Sequence, residues 1–308
     1  MIQFIVTCAK AKRGRVRPNL RLRAIRQRQL ASTAVEWVRR LGETTGDSVP
    51  AAHLYRGDHW KSASEAAAIV EADGGTAWVC SAGYGLIPFD APVWPYSATF
   101  TPGDLDSVLH LRSQNGEPVP PLWWDAVAAW AGPSPGRARR IASIAADSPR
   151  DLHIVVISEP YLRALTPDLL AAREQLRSAD RMLILCGGAP ENHPLAENMV
   201  GWDSRLQIVP GAMTSMNARV ARRLLEELPI KRLSLASARK CVASWAELAP
   251  SRSRPSRQRV SDSDVREFIR NRFAVGLISS PSGLHREFRE SGLACERLRF
   301  LSLFRSVS

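Results

Sequence analysis

Apolar residues follow two distinct patterns along this chain. Near-continuous apolar runs occupy residues 2–7 (IQFIVT), 76–80 (TAWVC), 152–158 (LHIVVIS) and 181–186 (RMLILC). Runs of that length, rich in β-branched residues, read as buried strands. A shorter run at 206–209 predicts one more. Helical spacing covers about residues 30–41, 62–72, 103–112, 121–131, 136–146, 213–228 and 234–248. Strands separated by helical segments predict an α/β domain with a largely parallel sheet flanked by helices. In such a sheet, ligands sit beyond the carboxyl ends of the strands. Cys8, residues 81–86 and residues 186–188 stand at three such ends, so three turns are expected to converge on one crevice.

The pattern changes after residue 249. Residues 250–261 (PSRSRPSRQRVS) have no apolar period and read as a linker. Ser261-Asp262-Ser263-Asp264 then opens a helix with capping residues and acids in its first turn. A second helix fits about residues 282–291, ended by Gly292, and a third element fits 295–304. The expected organisation is an α/β domain over 1–249, a linker over 250–261 and a small basic helical unit over 262–308. Three short basic elements fit a helix-turn-helix-like unit. A helical lid or oligomerisation arm fits the same pattern equally.

Composition narrows the class. A hydrophobic fraction of 45% with 23% charged residues is that of an ordinary globular protein, which excludes disorder or collagen-like repeats over most of the chain. No window approaches the roughly 18 consecutive apolar residues of a membrane span. The start, MIQFIVTCAKAKRGR, lacks the order of a signal peptide. Five scattered cysteines without a CxxC pair argue against a disulfide framework and a cysteine zinc site. A reduced, cytoplasmic protein with no membrane partner is expected.

Charge adds a finer distinction. The net charge is +12, and 37 of the 42 basic residues are arginine. Residues 1–40 carry +10 and residues 251–308 carry +6, which leaves 41–250 at −4. Guanidinium groups suit phosphate because they make bidentate contacts. The placement at both ends favours nucleic acid over a merely solvated arginine-rich surface. Arg13, Arg15, Arg17, Arg21, Arg23, Arg286 and Arg289 are the candidate contacts, with DNA as the expected partner. Nine of the 19 residues from Lys10 to Arg28 are basic, with Gly14 and Pro18 among them, which predicts a mobile or ligand-ordered loop.

The common catalytic signatures are missing: no Walker motif, GxGxxG fingerprint, GxSxG elbow or HExxH helix occurs. None of the six histidines, His53 and His59 included, has a ligand spacing, so neither a metal nor a cofactor is expected. The Trp123-Trp124 pair reads as core at the start of an amphipathic helix, with base stacking as the other option. Two constellations are stronger. Cys8 ends a strand and precedes Lys10 and Lys12. Nearby cations favour a thiolate, which attacks electrophilic carbon; a small buried residue finishing the first strand is the plainer alternative. The second constellation runs from Ser81 to Ile87 and on to Asp90, Tyr96 and Thr99. Its glycines let backbone N–H groups approach a ligand, and its polar residues offer proton transfer. A structural turn explains the glycines equally.

Four segments together carry a resemblance: Cys8-Ala9-Lys10-Ala11-Lys12, Leu54-Tyr55-Arg56-Gly57, Ser81-Ala82-Gly83-Tyr84-Gly85-Leu86-Ile87 and Pro95-Tyr96-Ser97-Ala98-Thr99-Phe100. In this order they resemble the YaaA-like family, with its CSxxK strand end, SAxYGL turn and PY-x-x-T segment. The resemblance covers about residues 1–110, and Ala9 stands where the family often has serine. It implies DNA binding and a link to oxidative stress. For the DpdC-type branch it implies conversion of a 7-cyano-7-deazaguanine base in DNA to its carboxamide, alongside other proteins of a DNA-modification cluster. That chemistry needs a nucleophile (Cys8), a proton source for the nitrile nitrogen (Lys10 or Tyr96) and a base for water (Asp90). The substrate-binding candidates are Lys12, Tyr55, Ser81, Gly83, Tyr84, Gly85 and Thr99. A non-catalytic DNA-binding stress or defence protein and an enzyme on free nucleotides are the competing readings.

Overall fold

The computed structural model describes residues 1–188, 190–202, 204–207, 212–249, 258–275 and 280–307. The chain divides into two compact units after Ala249. In the first, the elements run β1 (Ile2–Thr7), α1 (Leu30–Gly42), β2 (Val49–Pro50), α2 (Ala51–Leu54), α3 (Asp58–Ala72), β3 (Thr76–Ser81), β4 (Gly85–Pro88) and β5 (Pro92–Val93). They continue with α4 (Val119–Ala128), α5 (Ile141–Asp147), β6 (Leu152–Val156), α6 (Glu159–Gln175), β7 (Met182–Leu185), α7 (Met216–Glu227) and α8 (Leu235–Leu248). One five-stranded sheet has the order β4-β3-β1-β6-β7. Every neighbouring pair is parallel except β3 with β4. The α/β class with a mostly parallel, helix-flanked sheet is therefore as expected.

All residues of β1, β6 and β7 are buried. That is why these strands read as continuous apolar runs rather than alternating ones. Helices α3 and α7 pack on each other and on the sheet, while α4, α5 and α6 pack together with α1. Along the chain β1 leads toward β3 on one side, and β6 leads toward β7 on the other. The gap between the carboxyl ends of β1 and β6 is thus the topological switch point, where open α/β sheets take their ligands.

Several local expectations differ from the fold. Residues 85–88, read as part of a turn, form the antiparallel edge strand β4. The seventeen-residue helix α6 carries Pro160 in its first turn and Pro167 inside, and the interior proline masks the helical signal. Residues 103–112 form turns and a short 3-10 helix, Val108–His110, instead of an α-helix. There the Asp106 carboxylate is diverted to bond the Arg23 N–H (2.9 Å) and the Ser97 hydroxyl (2.7 Å). The strand expected at 206–209 is replaced by a 3-10 turn, Ser204–Leu206, with residues 208–209 outside the described residues. Gly136, at φ +81°, delays the helix of 136–146 until α5.

The basic stretch after Cys8 is not a mobile loop. Its 3-10 turns, Pro18–Leu20 and Leu22–Ala24, are tied by Leu22 N–H to Ser97 O (2.9 Å) and Ser97 N–H to Leu20 O (2.8 Å). Arg13 N–H donates to Leu54 O (2.7 Å) and Arg56 N–H to Ala11 O (2.9 Å). Leu20, Leu22 and Ile25 are buried beneath it, so apolar anchoring overrides the local charge.

The second unit contains β8 (Gln258–Arg259), α9 (Asp262–Ala274), α10 (Pro281–Glu290), β9 (Leu293–Ala294) and α11 (Arg297–Val307). Val265, Ile269, Leu284, Phe288, Phe300 and Leu303 form its own core. Ser261 caps α9 with a reciprocal bond to Asp264, as its sequence predicts. Of the expected linker, residues 250–257 lie outside the described residues, and 258–259 are β8.

One buried carboxylate joins the helical layer. Asp168 of α6 accepts from Trp124 Nε1 (2.9 Å), Ile141 N–H (3.0 Å) and Ala142 N–H (3.0 Å). Asp168→Ala orphans three buried donors, so it should destabilise the protein by about 3 kcal/mol or more, measured by denaturant unfolding.

Candidate active site

A cavity of about 470 Å³ opens at the switch point. Its walls include Thr7, Cys8 and Lys12 from the end of β1, Ser158 and Tyr161 from the start of α6, and Asn217 from α7. Ser97, Thr99, Thr101 and Asp104 complete the rim. Cys8 is half-buried and free, so it is accessible from the cavity rather than sealed in the core. A larger cavity, about 540 Å³, lies between α3, α7 and α8. Its arginines face their own carboxylates, Arg222 with Glu65 and Arg223 with Glu227, which makes it a self-neutralised surface groove.

The hydrogen-bond network around the sulfur has a readable direction. Ser81 Oγ accepts from the Gly83 N–H (3.2 Å) and the Tyr84 N–H (2.9 Å). With both lone pairs engaged, its own hydrogen goes to Tyr96 Oη at 2.7 Å. Tyr96 in turn donates to Cys8 Sγ at 3.4 Å, and the buried Tyr55 hydroxyl reaches Tyr96 at 3.2 Å. On the other side, Tyr161 Oη accepts from the Ala82 N–H (3.2 Å) and lies 3.1 Å from Cys8 Sγ, to which its O–H donates when the sulfur is a thiolate. Two phenols therefore aim O–H groups at one sulfur, and both are oriented by amides of the turn 82–84.

Burial, and then the charge of Cys8, pushes the Tyr96 and Tyr161 pKa values well above the ordinary phenol range. The phenols stay protonated and remain donors. Lys12 lies over the Tyr96 ring, with Nζ 4.2 Å from its centroid. Burial lowers the Lys12 pKa, while the charge of Cys8 opposes that shift. Lys12 and two tyrosine hydroxyls thus surround the Cys8 thiol, which places polar groups on both sides of a potential nucleophile.

His59, in the first turn of α3, also lines the cavity. Its Nε2 donates to Thr7 O at 3.0 Å, which leaves Nδ1 with a lone pair, buried and without a partner. Burial lowers the His59 pKa, so the ring is a neutral base at physiological pH.

The remaining sequence candidates divide sharply. Lys12 and Thr99 line the cavity, and Tyr96, Ser81 and Tyr55 stand behind Cys8 as the relay. Gly83 is required by packing: a Cβ there would lie 2.4 Å from the Tyr96 ring. Lys10 is displaced to the rim, where its exposed ammonium pairs with Asp104 at 2.5 Å. Partial burial opposes ionisation of Asp104, yet bonds from Lys10 and the Asp106 N–H outweigh it and hold its pKa low. Asp90 does not join the site. Strand β4 runs antiparallel, so it carries Asp90 to the opposite end of the sheet, where the preceding Phe89 N–H bonds Ala77 O (3.2 Å). Tyr84 is core, with its hydroxyl on the Trp94 backbone, and Gly85 serves a left-handed turn (φ +71°) against Arg139. Trp123 and Trp124 are buried, as the core reading expects.

Of the three strand ends, that of β1 lines the cavity, that of β3 stands behind Cys8, and residues 186–188 do not line it, being tied only to Asn217 of its wall. The Gly187 N–H donates to Asn217 Oδ1 (2.8 Å), and Asn217 Nδ2 donates to Ile157 O (2.7 Å). Arg13, Arg15, Arg17 and Arg23 are exposed and Arg21 is half-buried, all on the segment that follows Cys8. Arg286 and Arg289 are exposed on α10 of the second unit. Among the described residues no cluster of three metal-ligating side chains occurs, and no helix is long and apolar enough to cross a membrane.

Tyr161 and His59 are the functional candidates that sequence reasoning misses. Ser158-Glu159-Pro160 after a strand is the usual start of a helix, with proline in the first turn, and reading it so would have placed Tyr161 at the crevice.

Comparison with protein-family models and with curated proteins yields no match. The resemblance to the YaaA-like family therefore rests on the four sequence motifs alone.

Tyr161→Phe should slow alkylation of Cys8 by iodoacetamide several-fold at neutral pH, while Tyr84→Phe should leave it unchanged, as read by mass spectrometry of the Cys8 peptide. Gly83→Ala should destabilise the fold by about 1–3 kcal/mol through overpacking against Tyr96, measured by thermal unfolding.

Proposed function

We propose that this chain is a cysteine-dependent enzyme that converts the nitrile of a 7-cyano-7-deazaguanine base in DNA to a carboxamide. The observation that carries the reading is the pair of phenol O–H groups aimed at Cys8 beside Lys12, in a cavity at the switch point. At about 470 Å³ the cavity falls within the roughly 300–1,000 Å³ of small-ligand pockets. The four family-like motifs supply the substrate class, and the base would enter by flipping out of the duplex. The exposed Arg13, Arg15, Arg17 and Arg23, on the segment that follows Cys8, suit the flanking phosphates.

The chemistry proceeds in two halves. The Cys8 thiolate adds to the nitrile carbon, and a phenol, Tyr161 or Tyr96, protonates the nitrogen to give a thioimidate. Tyr161 and Tyr96 take this role rather than Lys10, which Asp104 holds at the rim. His59 then removes a proton from water as it adds to the same carbon, a role that Asp90 cannot fill from the far end of the sheet. Collapse of the tetrahedral adduct expels the thiolate and leaves the imidic acid, which tautomerises to the carboxamide; the proton held by His59 returns to the phenolate, and one water has been added across the C≡N bond. Lys12 offsets negative charge on sulfur throughout.

The direct test is incubation with duplex DNA containing the cyano base, followed by digestion to nucleosides. Carboxamide nucleoside is expected, with Cys8→Ala reducing turnover at least about a thousandfold while DNA affinity is kept. His59→Gln should stall after the first half, leaving a covalent mass increment on Cys8. Unchanged nucleoside with tight DNA binding would transfer the protein to the class of non-catalytic DNA-binding proteins.

A further inference from the structure

One exposed leucine stands at the rim of the Cys8 cavity. Leu105 is 69% exposed and follows Asp104, a residue of the cavity wall. A lone exposed leucine is ordinary on a protein surface. Here, however, both of its neighbours are fixed. Asp104 meets Lys10 at 2.5 Å, and its Oδ1 accepts the Asp106 N–H at 2.9 Å. The Asp104 carbonyl accepts from the Ser107 N–H (3.1 Å) and from His110 Nε2 (2.8 Å). Asp106 accepts from the Arg23 N–H (2.9 Å) and the Ser97 hydroxyl (2.7 Å), while its carbonyl accepts from the Thr99 N–H (3.1 Å). The turn is therefore tied down on both sides of Leu105, and the apolar side chain it presents is left in water.

The same bonds set this leucine beside the basic segment. Ser97, also of the cavity wall, exchanges backbone bonds with Leu20 and Leu22, and Asp106 holds the Arg23 N–H. Exposed Arg13, Arg15 and Arg17 lie on that segment. The two carboxylates that flank Leu105 are engaged, Asp104 by Lys10 and Asp106 by Ser97 and the Arg23 amide. They therefore do not set a bare negative pair against a phosphate backbone. Extracting a base from a duplex needs a cavity for the base and cations for the phosphates. It also leaves a gap in the stack, and an apolar side chain inserted there packs on the flanking bases and offsets the cost of unstacking. Leucine is among the residues that serve as such wedges.

We propose that Leu105 is the wedge that enters the duplex as the target base turns into the Cys8 cavity. This rests on the reading of a base in DNA as the substrate, but not on the nitrile chemistry. The test uses the full chain with a short duplex carrying the cyano base, and with the modified strand alone. Leu105→Ala should lower kcat/KM on the duplex at least about tenfold and on the single strand by less than about twofold, because a single strand has no paired base to extract. Leu105→Met should keep duplex turnover, and Leu248→Ala, also exposed but on α8 outside the cavity wall, should change neither substrate. A second readout needs no turnover. A 2-aminopurine placed next to the target base should brighten when wild-type protein binds, as its neighbour leaves the stack, and much less with Leu105→Ala. An equal loss on both substrates or no loss on the duplex overturns the proposal, as does a probe that stays dark with wild-type protein. Carboxamide formed from the single strand alone also removes the wedge and leaves the nitrile reading standing. No carboxamide from either substrate, with a rise in fluorescence that depends on Leu105, removes the nitrile reading and leaves the wedge.

Discussion

Ser81 has one hydroxyl and, in this fold, two backbone amides already pointing at it. Because Gly83 and Tyr84 both donate to its oxygen, Ser81 can only donate onward, and the hydrogen of Tyr96 is thereby sent to Cys8. A parallel branch through Ala82 and Tyr161 ends on the same sulfur. The orientation of the whole site depends on the turn after β3. Trp37 and Trp123 pin that turn from the opposite side, donating to the carbonyls of Gly83 and Ala82 at 2.8 and 2.7 Å. Each of the two carbonyls is thus held by an indole, while the amides donate to Ser81 Oγ and to the Tyr161 phenol. Buried backbone groups rarely go unpaired, and here their pairing also sets the polarity of the site.

The cations are managed differently in the interior and at the rim. Arg139 is half-buried against the carbonyls of Tyr84, Leu86, Val127 and Trp130, and partial burial lowers its pKa to about 10. It braces the same turn from below and takes no part in the cavity. Lys10 meets Asp104 in solvent, where such pairs contribute little to stability. Lys12 alone combines burial, an aromatic platform and proximity to the thiol. One short run of sequence therefore places two lysines two residues apart in quite different electrostatic settings.

The strands and most helices were legible because burial on both faces imposes runs that no other element shares. Cys8 and the 81–87 turn were legible as strand ends for the same reason. Helix α6 was not, since Pro167 interrupts its period, and with it went Tyr161. Asp90 was misplaced because glycines and a proline around residues 83–88 conceal a reversal of chain direction at β4. The basic segment 10–28 looked loose because its charges outnumber Leu20, Leu22 and Ile25, the three residues that anchor it.

By itself the sequence determined the α/β class, the division near residue 249, and the presence of a thiol at the carboxyl end of a central strand. These follow from local periodicity and from which residues water excludes. Only the tertiary structure decided which groups meet that thiol. Tyr96 and Tyr161, which bond it, and His59, which lines the same cavity, lie 88, 153 and 51 positions away along the chain, and no period of 2 or 3.6 residues encodes proximity over such separations. They are set by strand order, by the hand of each connection and by the directions of a few buried hydrogen bonds.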